Sequence, residues 1–274
     1  PAADAVIHPD LSMEPENYRH LSGVGVAFLL AAALRTALRE RGLWQGQKEP
    51  NLKDYLDLVA LGIIADVGPL KGANRILVTH GLEVLGRNLR PGLEALKAIS
   101  DVRGPNISAG AVGFRLVPRI NAAGRMGAAG DGLRLLITEN PGEAQALAKR
   151  LVIENRHRQE IEERILQEAE TMIDPSKGAI ILASPNWHVG VIGLVASRLA
   201  ERHYRPTVLL RTSEGVAQGS ARSVEGFHLC RALEACQEIL VRYGGHQHAA
   251  GLALLEEQLP RFRQMFQRIV KEQL

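Results

Sequence analysis

The sequence predicts an α/β protein of uneven build, in which a mainly helical stretch leads through one long helix into a small mixed α/β domain. Three observations carry that expectation. Over the first 141 residues apolar side chains recur at helical spacing, with almost no strand-like run. From Pro141 to about Ile173 the pattern is that of one long and largely polar helix. From Ala179 onward, short strand-like and helix-like runs alternate. A length of 274 residues is enough for two medium domains, each with its own core.

Taken in order, Gly23 to Arg41 carries Val24, Val26, Leu29, Leu30, Leu34 and Leu38 at the spacing of one helix. Leu52 to Ala65 is a second, with Leu56, Val59, Ala60 and Ile63 on one face, and Ala73 to Arg87 and Pro91 to Ile99 are shorter ones. Pro1 to Pro9 holds only one short apolar run, Ala5-Val6-Ile7. A chain that starts at Pro1 with so few strands reads as the later part of a domain whose sheet lies upstream. In the long helix, Glu154 to Glu160 is polar all round, and only Ile161, Ile165, Ala169 and Met172 offer a side to pack, as in a helix that bridges domains. Asp174-Pro175-Ser176-Lys177-Gly178 ends it. Strands are then expected at Ala179 to Ala183, Thr207 to Arg211, Gly215 to Ser220 and Leu252 to Leu255, with helices at Val191 to Arg202 and Leu229 to Leu240.

Composition narrows the function classes. No run of eighteen apolar residues occurs, and the richest stretch, Val24 to Leu34, is too short to span a bilayer and is followed by Arg35, Arg39 and Arg41. No membrane is expected as a partner. With no secretory signal in the sequence, the expected location is the cytoplasm. Cys230 and Cys236 suit neither a zinc pair nor a disulfide framework and are expected as reduced thiols. Net charge is only +3, yet 26 Arg stand against 7 Lys. Arginine is the better bidentate phosphate ligand, although a GC-rich coding bias raises it too. Aromatics at 4% argue against a base-stacking platform, so a nucleic-acid partner would be held through its backbone.

Four clusters bear on chemistry. In Gly244-Gly245-His246-Gln247-His248-Ala249-Ala250-Gly251, small residues flank two imidazoles and let backbone N–H groups approach a ligand, as in a phosphate seat. It reads as a tight turn or short helix feeding a strand; a packed Gly/Ala turn is the alternative. Asp66 ends an apolar helix, where a charge should be costly unless a cation neutralises it. A helix-terminal turn former is the other reading. Asn121-Ala122-Ala123-Gly124-Arg125 puts an arginine after small residues, as an anion-contacting loop would; a solvated Arg125 is the bland alternative. Gly219-Ser220-Ala221-Arg222-Ser223 ends a strand with a hydroxyl and a guanidinium two apart, hence on one side of it, a spacing that suits one shared phosphate.

Together these segments resemble the DHH phosphoesterase family with its DHHA1 substrate domain, and within it the RecJ-type single-strand exonucleases. The resemblance rests on Leu21 to Phe28, Leu58 to Val67, Pro118 to Arg125, Trp187 to Gly193, Gly219 to Ser223 and the opening Gly-Gly-His of the octapeptide, in order over nearly the whole chain. It implies the C-terminal part of a DHH domain over residues 1–141, a connecting helix over 142–173 and a DHHA1 domain over 174–274. It implies a catalytic, metal-ligating role for Asp66 toward Mn2+ or Mg2+, two ions in a complete enzyme. It implies substrate contacts from Asn121, Arg125, His188, Ser220, Arg222, Gly244, Gly245 and His246.

The departure from the family is equally plain, because no Asp-His-His triplet occurs in the sequence. Relatives carry it shortly before a segment like Pro1 to Asp4, so the resemblance implies a portion of a longer enzyme. The implied activity is 5′-to-3′ hydrolysis of single-stranded DNA in repair and recombination, with a repair helicase or a single-strand-binding protein as further partners. A phosphodiesterase of short oligonucleotides or cyclic dinucleotides stays open as an alternative. So does a non-catalytic DNA-binding scaffold.

Overall fold

The structure, a computed structural model, describes residues 3–9, 18–87 and 90–274. Contacts divide the chain into two compact units, residues 1–155 and 156–274.

The first unit is helical among its described residues: α1 (Gly23–Glu40), α2 (Leu56–Ala65, entered through a 3-10 turn Leu52–Tyr55), α3 (Gly72–Gly86), α4 (Pro91–Ile99), α5 (Val117–Arg125), α6 (Ala129–Ile137) and the start of α7 (Pro141–Met172). The apolar sequence of α2 is buried along most of its length, against α3 and α1. Leu61, Leu85, Leu93, Leu96, Val112, Leu116, Leu135 and Leu151 make the core that joins α2 to α4, α6 and α7. Asp57, in the first turn of α2, is buried and takes Arg90 Nε at 2.9 Å, while Arg90 also donates to the Asp54 carbonyl and lies over the Tyr55 ring. Loss of water around Asp57 outweighs the attraction of Arg90 and raises its carboxyl above the usual range.

The second unit is an α/β layer structure. Its elements are the end of α7, β1 (Ile180–Ser184), α8 (Val189–His203), β2 (Thr207–Ser213), β3 (Val216–Arg222), α9 (Leu229–Glu234), β4 (Leu240–Gly245), β5 (Ala249–Leu255) and α10 (Leu259–Gln273). The sheet order is β1-β2-β3-β5-β4, with β1 parallel to β2 and the other pairs antiparallel. Ile181, Val208, Leu210, Ala217, Ala221, Ala250, Leu252 and Leu254 face α9 and α10, where Phe227, Phe262 and Phe266 fill the core. α8 covers β2 and β3 on the opposite face with Val191, Ile192, Val195, Ala196 and Leu199 buried. The last part of α7 packs beside α8: Ile161, Ile165, Leu166 and Ala169 are buried, and Glu162 and Glu170 pair with Arg198 and with Arg202 and His203. Met172, expected in the packing series, is exposed.

Three expectations are corrected here. Leu229 to Leu240 is not one helix: α9 stops at Glu234, a 3-10 turn follows at Gln237–Ile239, and the chain enters β4. The octapeptide is no short helix: its turn feeds a strand, as the other reading has it, but as the tip of a hairpin, because the strand Leu240 to Gly245 pairs with β5. That strand is exposed almost throughout, so it lacks the apolar alternation that marks a half-buried strand. Asn121 to Arg125 is not a loop but the last turns of α5. Both cysteines are free thiols, and burial pushes Cys236 up to about 11. Among the described residues no helix is long and apolar enough to cross a membrane.

Candidate nucleic-acid interface

The best-formed polar site lies on the α8 side of the sheet. Because side chains alternate along a strand, burying Ala217 and Ala221 against α9 and α10 sends Ser220 and Arg222 together to the other face. Both stand against one point of α8, since a β-carbon added to Gly193 would lie 3.0 Å from Arg222 Nη2 and 3.2 Å from Ser220 Oγ. The guanidinium is held: Nε donates to Ser197 Oγ at 2.9 Å, and Nη1 donates to the Ala221 carbonyl at 2.8 Å. Ser220 and Arg222 are each half-buried, which keeps them reachable while thinning the water that would screen them. Ser223 has a different job, donating to the Phe227 carbonyl at 2.6 Å and closing the turn before α9.

The glycines of the octapeptide extend this face. Register sets Ser220 beside Gly251 and Gly251 beside Gly244, so the floor next to the Ser220 hydroxyl carries no side chain over two strands. Gly244 and Gly251 are exposed. Gly245 is required by the hairpin itself, because its φ is +151° and a β-carbon there would stand 2.3 Å from the Ala249 carbonyl oxygen. His246 donates its backbone N–H to that carbonyl at 2.8 Å, and its residue is exposed at the tip. His188 caps α8: its Nδ1 accepts from Gly190 N–H at 3.2 Å, and its carbonyl accepts from Val191 and Ile192. The amides of Gly190, Val191 and Ile192 are thereby occupied, and an accepting Nδ1 makes Nε2 the donor nitrogen of the ring. His188 is thus held by a structural task, with Nε2 as the atom left to define any ligand role.

In the first unit the expected residues sit at helix ends. Asp66 is the C-cap of α2 and is exposed, so the expected cost of a charge at this helix end is absent. Gly68 N–H returns to the Ile63 carbonyl and Val67 N–H to that of Ile64, the double bond of a Schellman turn, which requires a left-handed residue at Val67. Val67 is a β-branched residue at φ 53° and 87% exposed, where glycine would be unstrained. A π-helical turn, Val112–Leu116, feeds α5 and packs on α2, with Gly113 against Ile64. On α5, Asn121 is exposed and Arg125 half-buried in the last turn, where a cation also favours the helix dipole. Among the described residues no group of three or more His, Cys, Asp or Glu could hold a metal ion.

Reading the sequence missed Ser197, and it gave no role to Gly193, the last residue of the Trp187 to Gly193 segment. Their role depends on α8 lying over β3, a contact between segments some twenty-five residues apart that no local pattern announces.

Residues 176–272 match the DHHA1 domain family. The whole chain is 41% identical to the single-stranded-DNA-specific exonuclease RecJ of Salmonella typhimurium and 40% identical to that of Escherichia coli, covering 50% of each. It therefore spans about half the length of the curated relatives it matches. The crystal structure of RecJ from Thermus thermophilus in complex with Mg2+ superposes with a TM-score of 0.86 at 39% identity, over 97% of this chain and 40% of that one. The corresponding complex with Mn2+ gives 0.85. Residues 176–272 thus match the DHHA1 domain family, and over its whole length the chain is similar to the RecJ single-stranded-DNA-specific exonucleases.

Proposed function

We propose that this chain is the strand-holding part of a metal-dependent, single-stranded-DNA-specific exonuclease that acts 5′-to-3′ in DNA repair and recombination. The observation that carries the reading is the joint position of the Ser220 hydroxyl and the Arg222 guanidinium against Gly193, next to the side-chain-free row Gly251 and Gly244. A hydroxyl donor and a cation on one face can share a phosphate, and bare backbone beside them lets the strand come close. Asn121 and Arg125 on α5 are a second group of phosphate contacts, and His188, Gly245 and His246 line the face of the DHHA1 domain. The domain scheme that goes with this reading is residues 1–141 for the DHH part, 142–173 for the connecting helix and 174–274 for the DHHA1 domain.

The relatives of known structure bind Mg2+ or Mn2+. In this chain Asp66 can offer such an ion one exposed carboxylate, and among the described residues no group of three or more His, Cys, Asp or Glu could hold it. They do not by themselves fit a divalent-metal centre, and the reading for this chain is built on binding and orientation of the strand. A cytoplasmic location, and a repair helicase or single-strand-binding protein as partner, belong to the same reading through the resemblance to RecJ.

Fluorescence anisotropy with the purified chain tests it, using a labelled single strand and the matching duplex. Binding to the single strand is expected to be stronger and to fall about tenfold between about 50 and 200 mM salt, as release of a few counterions requires. Equal binding of duplex, or a single-strand affinity that ignores salt, would overturn the reading.

A further inference from the structure

We propose that Gly193 and Ser197, one turn apart on α8, are the positioning residues of Arg222: they fix the plane and reach of its guanidinium toward the strand. The inference rests on the proposed function, because it concerns how the same face is made ready for a phosphate.

An arginine has four side-chain torsions and loses affinity whenever the strand must order them first. Here the ordering is done inside the protein. Ser197 Oγ lies 3.1 Å from the Gly193 carbonyl and gives it the hydroxyl proton. A hydroxyl has one proton, so toward Arg222 the oxygen can only accept, which it does from Nε at 2.9 Å. The Ala221 carbonyl takes Nη1 at 2.8 Å. With Nε and Nη1 both tied, the plane of the guanidinium is set, and Nη2 and Ser220 Oγ both lie against Gly193. Gly193 supplies the room: a β-carbon at 3.0 Å from Nη2 and 3.2 Å from Ser220 Oγ would press on both groups at once. The two residues therefore act through Arg222 and Ser220, and neither needs a contact of its own with the strand.

The alternative is that Ser197 only fastens β3 to α8. Binding of a 5′-phosphorylated, labelled single strand to the whole chain separates the two, with the melting temperature of every variant measured alongside. Ser197→Ala is expected to weaken binding about fivefold, the cost of ordering one rotamer-rich side chain on binding. The same change made in Arg222→Ala protein is expected to add no more than about twofold, because the residue it positions is gone. Ser197→Thr keeps the hydroxyl and is expected to bind within about twofold of the unchanged protein. Gly193→Ala is expected to weaken binding with Ser197 intact. A fivefold loss that persists in the Arg222→Ala background overturns the positioning role, and so does a Ser197→Ala protein that melts lower and binds normally. If Arg222→Ala itself binds normally, the phosphate-binding reading fails and this inference with it, an outcome distinct from failure of the positioning role alone.

Discussion

Asp66 and Arg222 both carry a charge that a phosphoryl-handling site can use, and the two units present them in opposite ways. Asp66 stands exposed at the end of α2, fixed through its backbone by a turn strained at Val67, with no side chain among the described residues holding its carboxylate. Arg222 lies half-buried on a strand, with Nε and Nη1 tied to the same domain and Ser220 at its side. The first arrangement offers a ligand whose usefulness depends on groups other than those around it. The second is organised within residues 156–274. What differs is preorganisation: the second unit holds the geometry of Ser220 and Arg222 by its own bonds, whereas the helical unit contributes a position. Among its buried, held polar groups is Asp57, and that group serves stability.

The contrast can be broken most forcefully at Asp57. Arg90→Ala would leave a buried carboxylate without its cation, and the helical unit is expected to lose about 3–5 kcal/mol. Chemical denaturation followed by circular dichroism measures it. The sign with pH follows from the raised carboxyl: the folded state holds the Asp57 proton more tightly than the unfolded one, so stability falls as pH rises through that range. Without Arg90 the carboxyl moves higher still, and the loss should be smaller at acid pH than at neutral pH. A loss independent of pH would mean that Arg90 acts through packing on Tyr55.

A smaller effect sharpens the Asp66 side. Val67→Gly removes a left-handed β-branched residue and is expected to stabilise the helical unit by about 1 kcal/mol, whereas Asp66→Ala, at an exposed position, should stay within about 0.5 kcal/mol. Thermal unfolding of both variants decides between a carboxylate kept for chemistry and one kept for the fold. A drop well beyond that for Asp66→Ala would make it a structural cap.

Much of this is legible in the sequence where burial writes a period. Whereas α1 is helical with Leu29, Leu30 and Leu34 exposed, the spacing of α2 to α4, the long α7 and the strand–helix alternation from Ala179 follow from apolar positions meeting a core. So does the placement of Ser220 and Arg222 on one side of β3, which needs only the two-residue period. Other features escape the sequence reading for different reasons. β4 exists because β5 pairs with it, and its exposed side chains carry no periodic signal. Small residues in Asn121 to Arg125 suggest a loop, yet Ala122 and Ala123 are buried helical positions. α10 is absent from the sequence reading although Leu259, Phe262, Phe266, Ile269 and Val270 spell an amphipathic helix. The charge on Asp66 looks costly because its helix is apolar, but a helix end can reach water even when its body does not.

The central claim, that the Ser220 and Arg222 face of the DHHA1 unit binds the strand through its phosphates, is tested most directly by the salt dependence of single-strand binding. The comparison is between the unchanged chain, Arg222→Ala and Arg202→Ala, the last an arginine on α8 already paired with Glu170. Arg222→Ala is expected to cost about 1.5–3 kcal/mol of binding and to flatten the slope of log affinity against log salt by roughly one unit, with Arg202→Ala close to the unchanged chain. The account would be contradicted by an Arg222→Ala protein with the original affinity and slope, and most clearly if Arg202→Ala shifted both.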